Sequence, residues 1–288
     1  MTNVGDANGS ATGVPDDDST AEETPAADLH LHTTVSDGTL TVSALPDAAR
    51  AGGVDTVAVT DHDRVHPGLD APVTVHDGVT VIRGIELRVD AGAQNVDLLG
   101  YAVDPTPALD NELRRLQENR KERARAIVAC VENRLGVTLD VDIHDGIGRP
   151  HIARAIDASD ADYDFQGAFD HLIGDGGPCY VARELPSFEY GVDLLTESCA
   201  VVGLAHPFRY PDPAAALAST DQLDAVERYY PYDAPPSADE VARLDALVES
   251  HDLLATGGSD AHDATLGRAG PPRAAFDRFA ARLPRAEG

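Results

Sequence analysis

In 288 residues the chain carries 50 acidic and 22 basic side chains, for a net charge of −28 and a pI near 4.5. This length suits one large domain, or one domain with a sizeable insertion. The 42% hydrophobic content excludes a wholly disordered chain. The charge excludes strong non-specific binding of long nucleic acid, so any phosphate site must build its own local positive charge.

Lys121 is the only lysine, so nearly every base is Arg. Such a surface repels itself in dilute salt and is screened in molar salt, where the Debye length is about 3 Å. The composition therefore predicts a halophile protein, with stability rising between dilute and molar KCl. Cys130, Cys179 and Cys199 form no CxxC pair and are odd in number, which argues against a disulfide framework and for a cytoplasmic chain. The opening MTNVGDANGS lacks the basic and apolar regions of a signal peptide, and no apolar run is long enough to span a membrane.

Residues 1–26 are rich in Asp, Glu, Ala, Thr, Gly and Pro and read as a disordered acidic leader. A short strand is expected over 27–32, then a helix over 40–51 stopped by Gly52-Gly53. The alternating, β-branched run at 55–60 predicts a strand, with further strands at 79–85 and 95–101. Pro105 and Pro107 mark a break. A long Arg-rich helix is expected over 110–135, ended by Gly136, and short helices and turns follow to residue 187. The rhythm then resumes with helix 188–200, strands 201–205 and 223–230, helix 237–250 and strand 253–256. Strands alternating with helices predict a parallel α/β architecture, open or closed. The expected division is leader 1–26, barrel 27–104, mainly helical insertion 105–187 and barrel 188–288.

The chemistry lies where these strands end. Asp28-Leu29-His30-Leu31-His32 places two His at i and i+2, on one face of a strand. Asp37 follows in a turn. Later strand ends carry Thr60-Asp61-His62-Asp63, Gly84-Ile85-Glu86, Ala205-His206-Pro207 and Ser259-Asp260-Ala261-His262. Any one cluster could be a turn, a helix cap or a structural His. Together they predict a metal centre at the C-terminal face of a β/α barrel. His66, His76, His144, His171 and His251 lie outside the clusters and read as surface or structural groups.

The ordered series DLHLHTTVSDG, TDHD, GIE, AHP and GSDAH resembles the PHP (polymerase and histidinol phosphatase) family over about residues 27–270. The resemblance implies a distorted (β/α)7 TIM-like barrel and two or three divalent metal ions. On that pattern His30, His32, Glu86 and Asp260 would hold one ion. Glu86 would bridge to a second, shared with Asp97 and His206, and Asp37, His62 and His262 would hold a third. Asp28, Asp61 and Asp63 would orient the ligand imidazoles. Relatives commonly have His where this chain has Asp97, a harder ligand that favours Mn²⁺ or Mg²⁺, with Zn²⁺ and Fe²⁺ as alternatives. Four carboxylates against three divalent ions would leave a net positive site, suited to activating water and binding phosphoryl oxygens.

Within 105–187, Gly148-Arg149-Pro150-His151-Ile152-Ala153 resembles a segment of the nucleoside 3′,5′-bisphosphate phosphatase group, which includes 5′→3′ oligoribonucleases. Arg149 and His151 would bind phosphate, with Arg120, Arg123 and Arg209 as further candidates. The alternative for the long helix is a solvated face. The expected activity is metal-dependent hydrolysis of a small phosphate monoester, a nucleoside bisphosphate above all, with His30, His32, Glu86, His206 and Asp260 as catalytic residues. Its partner would be that substrate or a short RNA end, with no membrane and no obligate protein. The competing readings are an exonuclease on short RNA, a histidinol-phosphate phosphatase and a non-catalytic metal-binding module.

Overall fold

The computed structural model describes residues 24–286, so most of the leader expected over 1–26 lies outside the described residues. The strands are β1 (Asp28–Leu31), β2 (Thr56–Val59), β3 (Val73–His76), β4 (Val79–Asp90), β5 (Asn95–Tyr101), β6 (Val201–Leu204), β7 (Ala225–Tyr229) and β8 (Leu254–Gly257). The helices are α1 (Leu45–Ala51), α2 (Pro107–Leu135), α3 (Arg149–Asp157), α4 (Phe165–Ala168), α5 (Phe188–Ser198), α6 (Pro213–Ala218), α7 (Ala238–Ser250) and α8 (Arg273–Ala280).

All eight strands form one curled sheet, ordered β1-β2-β4-β5-β6-β7-β8, with β3 paired to β4 off that path. Its ends approach each other: Leu31 bridges to Ala261, and the His32 N–H donates to the Ala261 carbonyl at 2.8 Å. Gly258 permits this approach, since a Cβ there would lie 2.2 Å from the His30 nitrogen.

The sheet is not uniformly parallel as expected. β4 pairs antiparallel with β3 and β5, and β5 pairs antiparallel with β6. The cause is local: β4 and β5 are joined by a turn with Gly92 at φ 80°, too short to hold a crossover helix. β4 also runs five residues past the expected end, which puts Glu86 and Arg88 inside a strand.

α2 begins where Thr106 caps the Leu109 N–H and ends at Gly136 in the left-handed region (φ 70°). Its buried residues include Leu109, Leu113, Leu116, Gln117, Arg120, Arg123, Ala124, Ile127 and Val131. Arg120 and Arg123 thus fall on the apolar, inward stripe and not on a solvated face. The outer half of α2 packs with Ile147, Ile152, Ile156, Leu172 and Ile173 in a separate apolar cluster, away from the cluster formed by β4, β5 and β6.

The cysteine reading needs correction. Cys130 on α2 and Cys179 are joined, with Cα atoms 5.6 Å apart, and Cys199 is free. An odd count excludes full pairing but not one bridge between residues 49 apart in sequence. Burial pushes the Cys199 thiol up to about 12. No helix among the described residues is long and apolar enough to cross a membrane.

Candidate active site

Three strand ends are tied together before any ligand is considered. The Asp61 carboxylate, just past β2, accepts from the Thr33 N–H (2.8 Å), the Thr33 hydroxyl (2.7 Å) and the Ser36 hydroxyl (2.6 Å). Asp28 in β1 accepts from the N–H groups of Ser259 (2.9 Å) and Gly267 (2.8 Å) after β8. These bonds fix the backbone that presents the histidines. Asp28 and Asp61 hold backbone and hydroxyl groups, and Asp63 holds two guanidinium groups, so none of the three orients a ligand imidazole as expected.

That task falls to Glu227 in β7. Its two carboxylate oxygens lie 3.1 and 3.2 Å from His30 Nδ1, and one accepts from the His206 N–H at 2.8 Å. Glu227 and His30 are fully buried. Glu227→Gln should lower divalent-metal affinity about 10- to 100-fold, the usual effect of losing such a carboxylate, and metal titration would measure it.

The nine residues expected to hold metal fall into three groups, the first two sharing His32, in each of which ligand-type atoms lie within 4.8 Å of one another: His30, His32 and Asp260; His32, Asp37, His62 and His262; and Glu86, Asp97 and His206. Glu86 joins them. Its oxygens lie 3.5 Å from His30 Nε2, 3.4 Å from His32 Nε2, 2.7 Å from His62 Nδ1 and 3.0 Å from His206 Nε2. Asp260 Oδ1 lies 3.0 Å from His32 Nε2 and 3.5 Å from His30 Nε2. His206 and Asp260 sit at positive φ, 25° and 47°, a backbone cost that persists where surrounding structure enforces it.

Burial opposes charge on Glu86, yet the imidazoles of His62 and His30 hold its carboxyl well below the usual range. Burial likewise opposes ionisation of Asp260, which His30 and His32 hold low. Burial works against a charged His62, but Glu86 and Asp37 raise it to about 9. The His30 Nε2 atom is buried and has no hydrogen-bond partner, although it points at two carboxylates. A divalent cation satisfies both demands, supplying positive charge to the carboxylates and a partner to imidazole nitrogen.

A cavity of about 430 Å³ opens beside these groups and is lined by Arg88, Arg120, Arg123, Arg149, Arg183 and Arg209, among others. Of the expected substrate residues, Arg120, Arg123, Arg149 and Arg209 reach it. His151 is not among its lining residues, and its Nδ1 accepts from the Gly148 N–H at 3.1 Å. Arg149 pairs with Asp175 at 2.7 Å, and Arg209 pairs with Asp260 at 2.8 Å. Arg123 is pressed down to about 9, first by burial and then by Arg149, Arg183 and Arg120. Arg120 and Arg183 share Asp63, whereas Arg123 donates to the Val181 carbonyl at 2.6 Å.

Arg88, Arg183 and Glu227 escaped the sequence reading. Arg88 had a signal, being two residues beyond Glu86 on one strand and so on the same face. Glu227 had a weaker one, a carboxylate directly after the apolar Ala225-Val226 of a strand. Arg183 lies in an irregular segment and had none.

A curled α/β sheet with carboxylates and imidazoles gathered at strand ends, beside a cationic cavity, defines a metal-dependent phosphoesterase site. The comparisons agree. Residues 28–165 match the PHP domain model. A 3′,5′-nucleoside bisphosphate phosphatase of Chromobacterium violaceum is 30% identical over 247 residues, covering 82% of this chain and 86% of that protein. A 5′-3′ exoribonuclease of Escherichia coli is 28% identical over 250 residues, covering 82% and 84%. A solved chain from Bifidobacterium adolescentis superposes with a TM-score of 0.76 at 24% identity, covering 91% of this chain and 99% of that one, a likeness of fold. The chain belongs to the PHP family and is a phosphoesterase.

Proposed function

We propose that this enzyme removes a phosphate from a small nucleotide bearing a second phosphate, a nucleoside 3′,5′-bisphosphate in the first instance. The observation that carries this reading is the juxtaposition of the ligand cluster with the arginine-lined cavity. The scissile phosphate belongs on the ligand side and the second phosphate among the arginines, where Arg123 lies close to Arg120, Arg149 and Arg183. The C. violaceum relative, named for such an activity, supports the same assignment.

His30, His32, Glu86 and Asp260 would hold one divalent ion, and Asp37, His62 and His262 another; this mixed imidazole and carboxylate set suits Mn²⁺, Zn²⁺ or Fe²⁺, and Mn²⁺ is the ion to test first. When bound, such ions supply positive charge for the phosphoryl oxygens and acidify water. The protein's own residues set the geometry. Glu227 holds the His30 ring, Asp61 clamps the loop at 33–36, and Arg209, paired with Asp260 and 2.9 Å from the Tyr230 hydroxyl, borders the site on its open side.

Arg183→Ala should lower kcat/KM for adenosine 3′,5′-bisphosphate about 10- to 100-fold, the loss of a charge-assisted hydrogen bond. It should change the value for adenosine 3′-monophosphate far less. Equal losses on both substrates would place Arg183 at the scissile group and overturn the two-phosphate reading. A short 5′-phosphorylated RNA belongs in the same series, since the E. coli relative is named as a 5′-3′ exoribonuclease. Faster release of nucleotides from it than of phosphate from the bisphosphate would favour the exonuclease.

A further inference from the structure

The Glu86, Asp97 and His206 group differs from the other two. In the family pattern it is a metal position, and by proximity its atoms could hold an ion. Here Asp97 already faces a cation. Arg88 Nη1 reaches both Asp97 carboxylate oxygens, at 2.9 and 3.2 Å. The pairing is built into the sheet, because Arg88 and Asp97 stand directly opposite each other on the antiparallel ladder of β4 and β5.

Both ends of the pair are held. The Arg88 N–H donates to Asp63 Oδ1 at 3.2 Å, and the Asp97 N–H donates to the Tyr210 hydroxyl at 2.8 Å. Asp97 is buried, whereas the Arg88 side chain is 39% exposed and lines the cavity. His206 Nε2 sits closer to Glu86 (3.0 Å) than to Asp97 (3.8 Å), so the imidazole and Asp97 do not converge as tightly as the ligands around His32.

We infer that the Arg88 guanidinium is the resident cation of this group and excludes a third divalent ion, so that the enzyme works with two ions and a fixed arginine. The substitution of Asp for His at position 97 then has a physical reason. An imidazole could not neutralise Arg88, whereas a carboxylate can. The charge requirement is also met. Two divalent ions balance Asp37, Glu86, Asp97 and Asp260, and Arg88 leaves one positive charge facing the phosphoryl group. The guanidinium is a planar donor that needs no reloading when product leaves.

This inference rests on reading the site as a divalent-metal centre, and its test separates the two. Chelated protein is equilibrated with excess Mn²⁺, freed of unbound ion, and its metal content measured by plasma mass spectrometry. The expected result is two ions per chain in the wild type and in Arg88→Lys, and a third in the double variant Arg88→Met/Asp97→His. Three ions in the wild type, or only two in a double variant with native circular dichroism, would overturn the assignment of Arg88. No bound ion in the wild type would instead overturn the metal reading itself. If the double variant does not fold, the wild-type count decides: two supports the inference and three refutes it.

Discussion

Replacing His30 with alanine should lower kcat/KM by about a thousandfold, with the fold intact. The ring is fully buried, its Nδ1 is held by Glu227, and its Nε2 points at Glu86 and Asp260 without a hydrogen-bond partner. Removing it deletes a ligand from the most enclosed part of the site. The charge stabilisation supplied through such a site amounts to several kcal/mol, and about 4 kcal/mol corresponds to roughly a thousandfold. The variant leaves Glu227 without its ring partner but keeps its bond from the His206 N–H, so unfolding is not the expected outcome. A near-native melting temperature with lost phosphate release and reduced metal content would support the role given to His30. Retained activity would remove His30 from the chemistry.

The largest effect on stability is expected at Asp63. This carboxylate accepts from Arg120 Nε at 2.9 Å and pairs closely with Arg183, and both guanidinium groups are largely shielded. Its backbone carbonyl accepts from Gln117 at 2.8 Å, and its φ of 50° places it in a conformation few residues adopt. Asp63 therefore ties the strand end after β2 to α2 and to the segment bearing Arg183. Asp63→Ala leaves two shielded cations without a counter-charge, which costs about 3–5 kcal/mol.

The pH dependence has a definite sign. Burial opposes ionisation of Asp63, but Arg183 and Arg120 overcome it and hold the carboxyl well below its usual range. A depressed carboxyl contributes fully above its unfolded value and loses that contribution progressively as pH falls from there through the folded one. The gap between wild type and Asp63→Ala should thus be full at pH 7, partly narrowed at pH 3 and closed only in stronger acid. Urea unfolding at pH 7 and pH 3 checks both points. A difference under 1 kcal/mol at pH 7 would show that Asp63 is not the hub.

Much of the site was readable in the sequence because its ligands lie on short strands or just after them. Strand β5 has the predicted bounds, and α2 starts only three residues early, since hydrophobic period, Pro107 and Gly136 are local signals. The i, i+2 spacing of His30 and His32 likewise needs nothing beyond strand geometry. What failed depends on partners distant in sequence. The direction of β5 is set by which neighbours it pairs with, and β3 is only four residues, an alternating VTVH too short to stand out just after Pro72. Cys130 and Cys179 meet because α2 folds back on the segment after α4. The carboxylate that orients His30 comes from a strand 197 positions away, and the nearer Asp28 is spent on backbone. Binding arginines are hard to rank from sequence for the same reason. His151 looked competent beside Arg149 and is used as a helix cap, while Arg183, without a motif, reaches the cavity.

The most direct test is phosphate release from adenosine 3′,5′-bisphosphate by chelator-stripped enzyme, in molar KCl, before and after Mn²⁺ is restored. The expected result is negligible release from the stripped protein and rapid release once Mn²⁺ is added, absent in His30→Ala under the same conditions. Release that is unchanged by stripping, or absent after metal has demonstrably bound, would contradict it.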